Sequence, residues 1–578
     1  MSQALTDLLN WYANNPRTEV LSVPVCGDDV IRHPILNKST AFPEDERTAL
    51  GLDGLLPHQQ NDITVQAQRS YGSITRKTDP MERYIGLASL QDRNEHLFYR
   101  VLVDHLEEFM PVVYTPTVGL AVQEFSHHFR RARGVWVTPA HRGRMAEVLK
   151  NASRGLDVRL LVVTDNESIL GLGDQGAGGI AISIGKLALY CACAGIHPVM
   201  TLPVSLDVGT NNPDLLEDPL YLGWRHSRLH GEDYEALLEE FVSAVRQVFP
   251  VAVVQWEDFR KDNALMILDR YRNVVPSFND DIQGTGAVAA AGMMSALRIT
   301  GSRVVEQRIL IYGAGAAGLG IARQFKAALE TAGLDSDAAR HAIAALDSGG
   351  LLVREPGLRE TYKRELAWDT EFATSLGLDP EHRDLLSVVL AFKPTVLIGT
   401  SGQPGAFSQI IIEAMHAHCP RPVVLPFSNP TDYAEALPAD LIAWTNGQAL
   451  VATGSPFDPV HFCGNTYQIG QGNNVFIFPG LGLGALAARV RAITDGMINA
   501  AVVALAGSVT DAELAVGLLF PATKRLRSVS RSIALAVMEC AIEEGGADPG
   551  IAALDSAARL QHLDDMIWEP NYRRYTAG

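Results

Sequence analysis

The chain has 578 residues, 47% of them hydrophobic and 20% charged, and a formal net charge of −18. That length supports more than one domain, each with its own core. So acidic a surface argues against nucleic acid or an anionic membrane face as the main partner.

The N-terminus, MSQALTDLLNWYANN, has no basic region followed by a long apolar run. No signal peptide or transmembrane span is expected, which suits a reducing cytoplasm. Residues 1–110 read as a mostly helical region with polar loops near Asn37-Lys38 and Pro43; Arg83 to Phe109 carries apolar residues at helical spacing. Val112-Val113-Tyr114 reads as a short strand that Thr115-Pro116-Thr117 stops, placing Tyr114 at a strand end. Arg159 to Thr164 is a near-continuous apolar strand of the doubly covered parallel kind. It leads into the glycine-rich run Gly171-Leu172-Gly173-Asp174-Gln175-Gly176-Ala177-Gly178-Gly179, where backbone can approach a ligand closely.

The helix expected over Ile182–Tyr190 carries Lys186 among apolar residues. Such a lysine either snorkels or is functional; burial would lower its pKa and suit it to act as a general base. The same apolar run continues to Cys191 and Cys193, expected core thiols. None of the six cysteines forms a CxxC pair, so neither a zinc site nor a disulfide framework is expected. A further strand, Thr201–Leu206, ends in Asp207-Val208-Gly209-Thr210-Asn211-Asn212.

Two acidic pairs follow, Glu257-Asp258 and Asp280-Asp281. Each stands at the exit of a strand-like segment, and an amphipathic helix with Ala264, Ile267, Leu268 and Tyr271 on one side lies between them. Parallel strands joined by a crossover helix bring both pairs to one sheet edge, where ligands bind in open α/β folds. Carboxylates converging there repel one another unless a cation sits between them, and an all-oxygen set suits Mg²⁺ or Mn²⁺. Taken alone, solvated turn carboxylates are the competing explanation.

Arg308–Tyr312 runs as a strand into Gly313-Ala314-Gly315-Ala316-Ala317-Gly318 and then a helix. A GxGxxG turn in that setting is a dinucleotide fingerprint, and Asp347, at the end of the next strand, stands where an acid binds the ribose 2′-hydroxyl of NAD. Two more strand-to-loop transitions, at Thr395–Ser401 and at Val423–Thr431 with Asn429, continue a doubly wound, Rossmann-like pattern. Asn473-Asn474 precedes an apolar segment expected to be a strand, and helices run from there to about Glu544.

The combination resembles the malic enzymes, in particular their large NAD type. The likeness rests on Val113-Tyr114-Thr115-Pro116-Thr117-Val118-Gly119, Ile169-Leu170-Gly171-Leu172-Gly173-Asp174, Trp256-Glu257-Asp258-Phe259, Phe278-Asn279-Asp280-Asp281-Ile282-Gln283-Gly284-Thr285, Ser428-Asn429-Pro430-Thr431 and Gly472-Asn473-Asn474. The resemblance implies metal ligation of Mn²⁺ or Mg²⁺ by Glu257, Asp258 and Asp281, with Asp280 as their catalytic neighbour. It implies Lys186 as the base for the C2 hydroxyl of L-malate and Tyr114 as the acid that protonates C3. Gly313, Gly315, Gly318 and Asp347 match the NAD site, and Asn429 and Asn474 match residues touching substrate and nicotinamide. It further implies a homotetramer and an α/β fold of four parts: a helical region at 1–110, a parallel-sheet catalytic domain at 111–275 completed by about 455–530, an NAD-binding domain at 276–454 and a helical arm at 531–578.

One departure stands out. Malic enzymes carry an arginine that grips a substrate carboxylate where this chain has Ser168. The related malolactic enzymes also lack it, and Ile182–Lys186 and Tyr467–Gln471 lean towards them, so L-lactate formation with bound NAD is the alternative; a non-catalytic dinucleotide-binding regulator is a third. Lys363 lies near the position of a lysine in NADP-type relatives, which leaves NADP open beside NAD.

Overall fold

The computed structural model describes all residues of the 578-residue chain except Gly357 and Arg359. Two parallel sheets organise it. The first has five strands in the order Val135–Val137, Thr201–Leu206, Leu160–Thr164, Val253–Trp256, Ser277–Asn279, all parallel. Leu160 to Val163 are fully buried, as a strand covered by helices on both faces requires. Val163 lies opposite Trp256, and Trp256 opposite Asn279. That register makes Glu257 and Asp280 the first residues past two adjacent strand ends, on the same edge.

The second sheet has seven strands in the order Gly470–Gln471, Leu450–Thr453, Val423–Pro426, Val396–Gly399, Ile309–Tyr312, Ile343–Asp347, Gly350–Leu351. Only the last pair is antiparallel. In chain order this is the doubly wound arrangement in which direction reverses between the first and fourth strands, here Ile309–Tyr312 and Val396–Gly399, the point at which open α/β sheets bind ligands. The mixed α/β class expected from the sequence is the class observed.

Helix Lys261–Tyr271 connects the strands that carry the two acidic pairs and buries Ala264, Leu265, Ile267, Leu268 and Tyr271. The helix Gly176–Ala194 is long and apolar enough to cross a membrane, but 94% of its most apolar window is buried inside the protein. It is the central core helix. Cys191 and Cys193 are buried near its end, and the six cysteines are free.

Several local expectations are corrected. Val112 and Val113 close a helix, Leu106–Val113, and Tyr114 is its C-cap. The burial of Leu106, Phe109, Met110 and Val113 at helical spacing outweighs the β-preference of the valines. Arg83 to Phe109 is divided among Pro80–Arg93, Glu95–Asp104 and Leu106–Val113, the break at Asn94 being made by its side chain capping Leu97 N. The segment after Asn474 is a short turn and then helix Phe478–Ala488, buried on every side. All-round burial gives a helix the unbroken apolar run of a buried strand. Its glycines explain the close fit: a Cβ on Gly480 would come within 2.7 Å of Ile533, and one on Gly484 within 2.6 Å of the Ala534 carbonyl. The tail beyond Met566 is not helical; Arg574–Ala577 pairs in parallel with Val20–Val23.

Candidate active site

At the carboxyl edge of the five-stranded sheet, Glu257, Asp258 and Asp281 each offer an oxygen, the three lying within 4.8 Å of one another. Glu257 and Asp258 are buried. Asp258 adopts φ +55° and neighbouring Leu170 φ +46°, left-handed conformations that cost such residues about 1–3 kcal/mol each and cluster at functional sites. The strain has a local use, since Leu170 N donates to Asp258 Oδ2 at 3.2 Å. Asp258 N in turn donates to Asp281 Oδ2 at 2.9 Å.

Helix Ile180–Leu189 delivers Lys186 from the opposite side, with no exposed surface. Its Nζ pairs with Asp280 Oδ2 and lies 3.0 Å from Glu257 Oε1. It also sits 4.4 Å from the Phe478 ring centroid and 5.1 Å from that of Tyr114. The expected fall in its pKa is not found. Burial presses the ammonium down, but Asp280 and Glu257 outweigh burial and hold it well above the ordinary lysine value. The acids move as burial and crowding dictate. Burial, then the neighbouring carboxylates, push Glu257 and Asp258 well above the usual range and Asp281 up to about 6, with Lys186 opposing. Burial also pushes the Tyr114 hydroxyl well up.

This donor set fits a hard divalent cation. It consists of carboxylate oxygens only, two of its three residues are buried, and it gathers more carboxylates than Lys186 can neutralise. Asp280 Oδ1 is buried without a partner. Asn474 Nδ2 fixes the same carboxylate, donating to Asp280 Oδ2 at 2.9 Å and to Thr285 Oγ1 at 3.1 Å.

The glycine turn fits a dinucleotide. Gly313 has φ +120° and a Cβ there would strike Thr400 at 2.5 Å; one on Gly318 would strike Gly313 O at 2.0 Å. A Cβ on Gly315, the N-cap of helix Ala316–Thr331, would meet nothing within 4 Å. Two glycines therefore pack the turn and the third leaves the helix N-terminus open to a pyrophosphate. Asp347 ends its strand as expected, but its carboxylate is already engaged: Oδ1 accepts from Gly349 N at 2.7 Å and Oδ2 from Lys363 Nζ at 2.8 Å. Asn429 accepts from Ser455 Oγ at 2.5 Å, and a Cβ on Gly171 would lie 3.5 Å from Asn429 O, so this loop meets the glycine run of the other sheet. Ser168 is half-buried, its N donating to the Asp258 carbonyl at 3.1 Å.

Three functional neighbours were not singled out in the sequence. Gln255 donates to Glu257 Oε2 at 2.7 Å, and the Tyr190 hydroxyl donates to Gln255 Oε1. Both signals were present: Gln255 precedes Glu257 by two residues, the spacing of one strand face, and Tyr190 follows Lys186 by one helical turn. Gly320 had no signal within its own segment. A Cβ there would meet Ile282 O at 1.9 Å, so the dinucleotide helix rests directly on the turn that carries Asp280 and Asp281.

Comparison with known proteins agrees with this site. The family model described as "Malic enzyme, N-terminal domain" matches residues 91–272, and "Malic enzyme, NAD binding domain" matches residues 282–542. The chain is 47% identical over 559 residues to an NAD-dependent malic enzyme 1 of Vibrio vulnificus, covering 96% of this chain and 98% of that protein. It is 45% identical over 555 residues to an NAD-dependent malic enzyme of Shewanella woodyi, with the same coverage. Among solved structures, a malic enzyme of Entamoeba histolytica aligns over 90% of this chain and 91% of its own with a TM-score of 0.56 at 22% identity, a likeness of fold. That of Pyrococcus horikoshii aligns over 80% and 89% with a TM-score of 0.52 at 25% identity. A sheet edge bearing three acids and a buried lysine beside a dinucleotide turn defines a metal- and dinucleotide-dependent oxidoreductase class. The chain belongs to the malic enzyme family.

Proposed function

We propose that this protein oxidatively decarboxylates L-malate to pyruvate and CO₂ with reduction of NAD. The observation that carries the reading is Lys186 wedged between Glu257 and Asp280, beside the three converging carboxylates. Glu257, Asp258 and Asp281 would hold Mn²⁺ or Mg²⁺, which supplies Lewis-acid polarisation of the substrate's C2 oxygen and C1 carboxylate. The turn of Gly313, Gly315 and Gly318, with Asp347, would hold NAD, which supplies the hydride acceptor.

Lys186 takes the proton of the C2 hydroxyl as the C2 hydride departs. Nζ lies against Glu257 and Asp280, and a divalent cation held by Glu257, Asp258 and Asp281 would offset negative charge there and ease the loss of the lysine proton. Asp280 aims Nζ, and Asn474 fixes Asp280. The Phe478 and Tyr114 rings against Nζ keep water out. Loss of the C4 carboxylate as CO₂ leaves an enolate between C2 and C3. Tyr114, whose raised pKa keeps it protonated, returns a proton to C3. Asn429 would contact substrate and nicotinamide.

The same reading assigns residues 1–110 to a helical region, 111–275 with about 455–530 to the catalytic domain, 276–454 to the NAD-binding domain and 531–578 to the arm. The two matched ranges, 91–272 and 282–542, support the boundary near residue 275. The working form is a homotetramer in the cytoplasm, where the free thiols stay reduced. The test is incubation of the pure protein with L-malate, Mn²⁺ and NAD. Pyruvate with accumulating NADH is expected. Lactate with no net NADH would replace this reading by the malolactic one, which Ser168 permits.

A further inference from the structure

Strands Val396–Gly399 and Val423–Pro426 lie side by side in the second sheet, with Gly399 opposite Pro426. Ser401 and Ser428 are therefore each two residues past adjacent strand ends. The first loop meets the glycine turn directly, since Thr400 Oγ1 donates to the Gly313 carbonyl at 2.8 Å. The second carries Asn429, whose Oδ1 is held by Ser455 Oγ.

One side chain ties the two loops together. Glu435, seven residues beyond Ser428, has no exposed surface. Its Oε1 accepts from Ser401 N at 2.8 Å, from Ser401 Oγ at 2.9 Å and from Ser428 Oγ at 2.5 Å. Ser428 Oγ also accepts from Gly402 N at 2.8 Å, which gives the loops a second link. The Glu435 carbonyl accepts from Phe407 N at 3.0 Å, so its backbone is fastened to the first segment as well. The fit is close: a Cβ on Gly399 would strike the Glu435 carboxyl group. Among the described residues, hydroxyls and backbone N–H groups satisfy this carboxylate, not a cation. Burying a carboxylate without an opposite charge is costly, and an apolar side chain of similar volume would hold two loops together at less cost. What apolar packing lacks is direction. Charge-assisted hydrogen bonds fix their donors in angle and distance, and binding groups have to be held to within about 0.5 Å to be effective.

We propose that Glu435 is a positioning residue for the dinucleotide. By fixing Ser401 and Ser428 it sets the wall of the crevice that faces the glycine turn, and Asn429 with it. The proposal rests on the reading that NAD occupies that turn. Glu435, itself fully buried, acts through the two serines and not by contact with the cofactor.

Calorimetric titration of the full chain with NAD in the presence of Mn²⁺, and separately with Mn²⁺ alone, tests it. Glu435→Gln keeps the shape but loses the charge and turns a donor towards the serines. It should weaken NAD binding by about ten- to a hundredfold, the worth of a hydrogen bond to a charged group. Mn²⁺ affinity should stay within about twofold, because the three converging carboxylates belong to the other sheet. Should that variant fold poorly, Ser401→Ala and Ser428→Ala replace it. Both hydroxyls donate to the same oxygen, so each change should weaken NAD binding and the double variant should lose less than the sum. An unaltered protein that binds no NAD would remove the cofactor reading and this proposal together. NAD bound as tightly by Glu435→Gln as by the unaltered protein would remove the positioning role alone. An equal loss of NAD and Mn²⁺ affinity, or serine effects that are absent or simply add, would likewise reduce Glu435 to a brace of the fold.

Discussion

Lys38 and Lys186 are both buried ammonium groups facing carboxylates, at 3% and 0% exposure, and their surroundings differ in charge balance. Lys38 meets Glu46 one for one. The other Glu46 oxygen accepts from Tyr575 N at 2.9 Å, and Lys38 Nζ lies 3.8 Å from the Tyr575 ring centroid. Charge and hydrogen bonds are matched there, and the pair ties the C-terminal strand to helix Glu44–Ala49. Burial dominates, so the Lys38 pKa is lowered despite Glu46. Lys186 is instead surrounded by Glu257, Asp258, Asp280 and Asp281, and its pKa is raised. A matched buried pair holds the fold; an unmatched one is costly unless another cation or a reaction uses the surplus.

The comparison breaks first at Lys186. Lys186→Ala should lower kcat for malate oxidation by about 10²–10⁴-fold, the usual size of a general-base contribution. Steady-state rates at saturating malate, Mn²⁺ and NAD measure it. A variant that keeps most of its rate would reduce Lys186 to a counter-ion like Lys38.

At the matched pair the effect should fall on stability. Glu46→Gln leaves Lys38 buried without its carboxylate, at a cost of about 3–5 kcal/mol. Urea unfolding measures that loss, while kcat per folded molecule should stay within about twofold of the unaltered protein, since surface or structural changes away from the site leave chemistry intact. A large fall in kcat with unchanged stability would contradict the division of roles.

Surplus carboxylate also predicts which site a metal stabilises. Mn²⁺ at a hundred times its Kd should raise stability by about 2.7 kcal/mol through mass action. Asp281→Ala, which removes one of the three converging oxygens, should abolish most of that gain and the turnover with it. Equal stabilisation of the variant by Mn²⁺ would place the metal elsewhere.

Much of this contrast was legible in the sequence on one side only. The acidic pairs at strand exits, the apolar helix around Lys186 and the glycine turn all follow from local periodicity, and the register of parallel strands does the rest. Lys38 reads as part of a polar loop, because nothing local reveals that a strand more than five hundred residues later will cover it. Tyr114 reads as a strand end for the converse reason: valine's β-preference is weak beside the packing of a helix face. The direction of the Lys186 shift also lay beyond the sequence, since burial alone lowers a lysine and only the close approach of Asp280 and Glu257 reverses it.

The smallest effect belongs to the terminal latch and appears in acid. His96 and His197 are buried beside Tyr12 and Trp568; the Tyr12 hydroxyl lies 3.1 Å from His96 Nε2, and His96 Nδ1 has no partner. Burial, then Arg573 and Lys38, press His96 down to about 3. Burial, His96 and Arg573 hold His197 well below the ordinary value. Both are neutral in the fold, while the unfolded chain takes up their protons at about pH 6.5. A depressed folded pKa for a base means that stability is intact above pH 6.5 and drains as pH falls below it, by about 1.4 kcal/mol per pH unit for each histidine. For His96 the loss ends near pH 3. Urea unfolding between pH 7 and 5 should show that decline, and His96→Gln, which cannot take up a proton, should flatten it by one histidine's share. If the variant keeps the full slope, the acid sensitivity lies outside the latch, and the crowded carboxylates of the reaction centre become the next place to look.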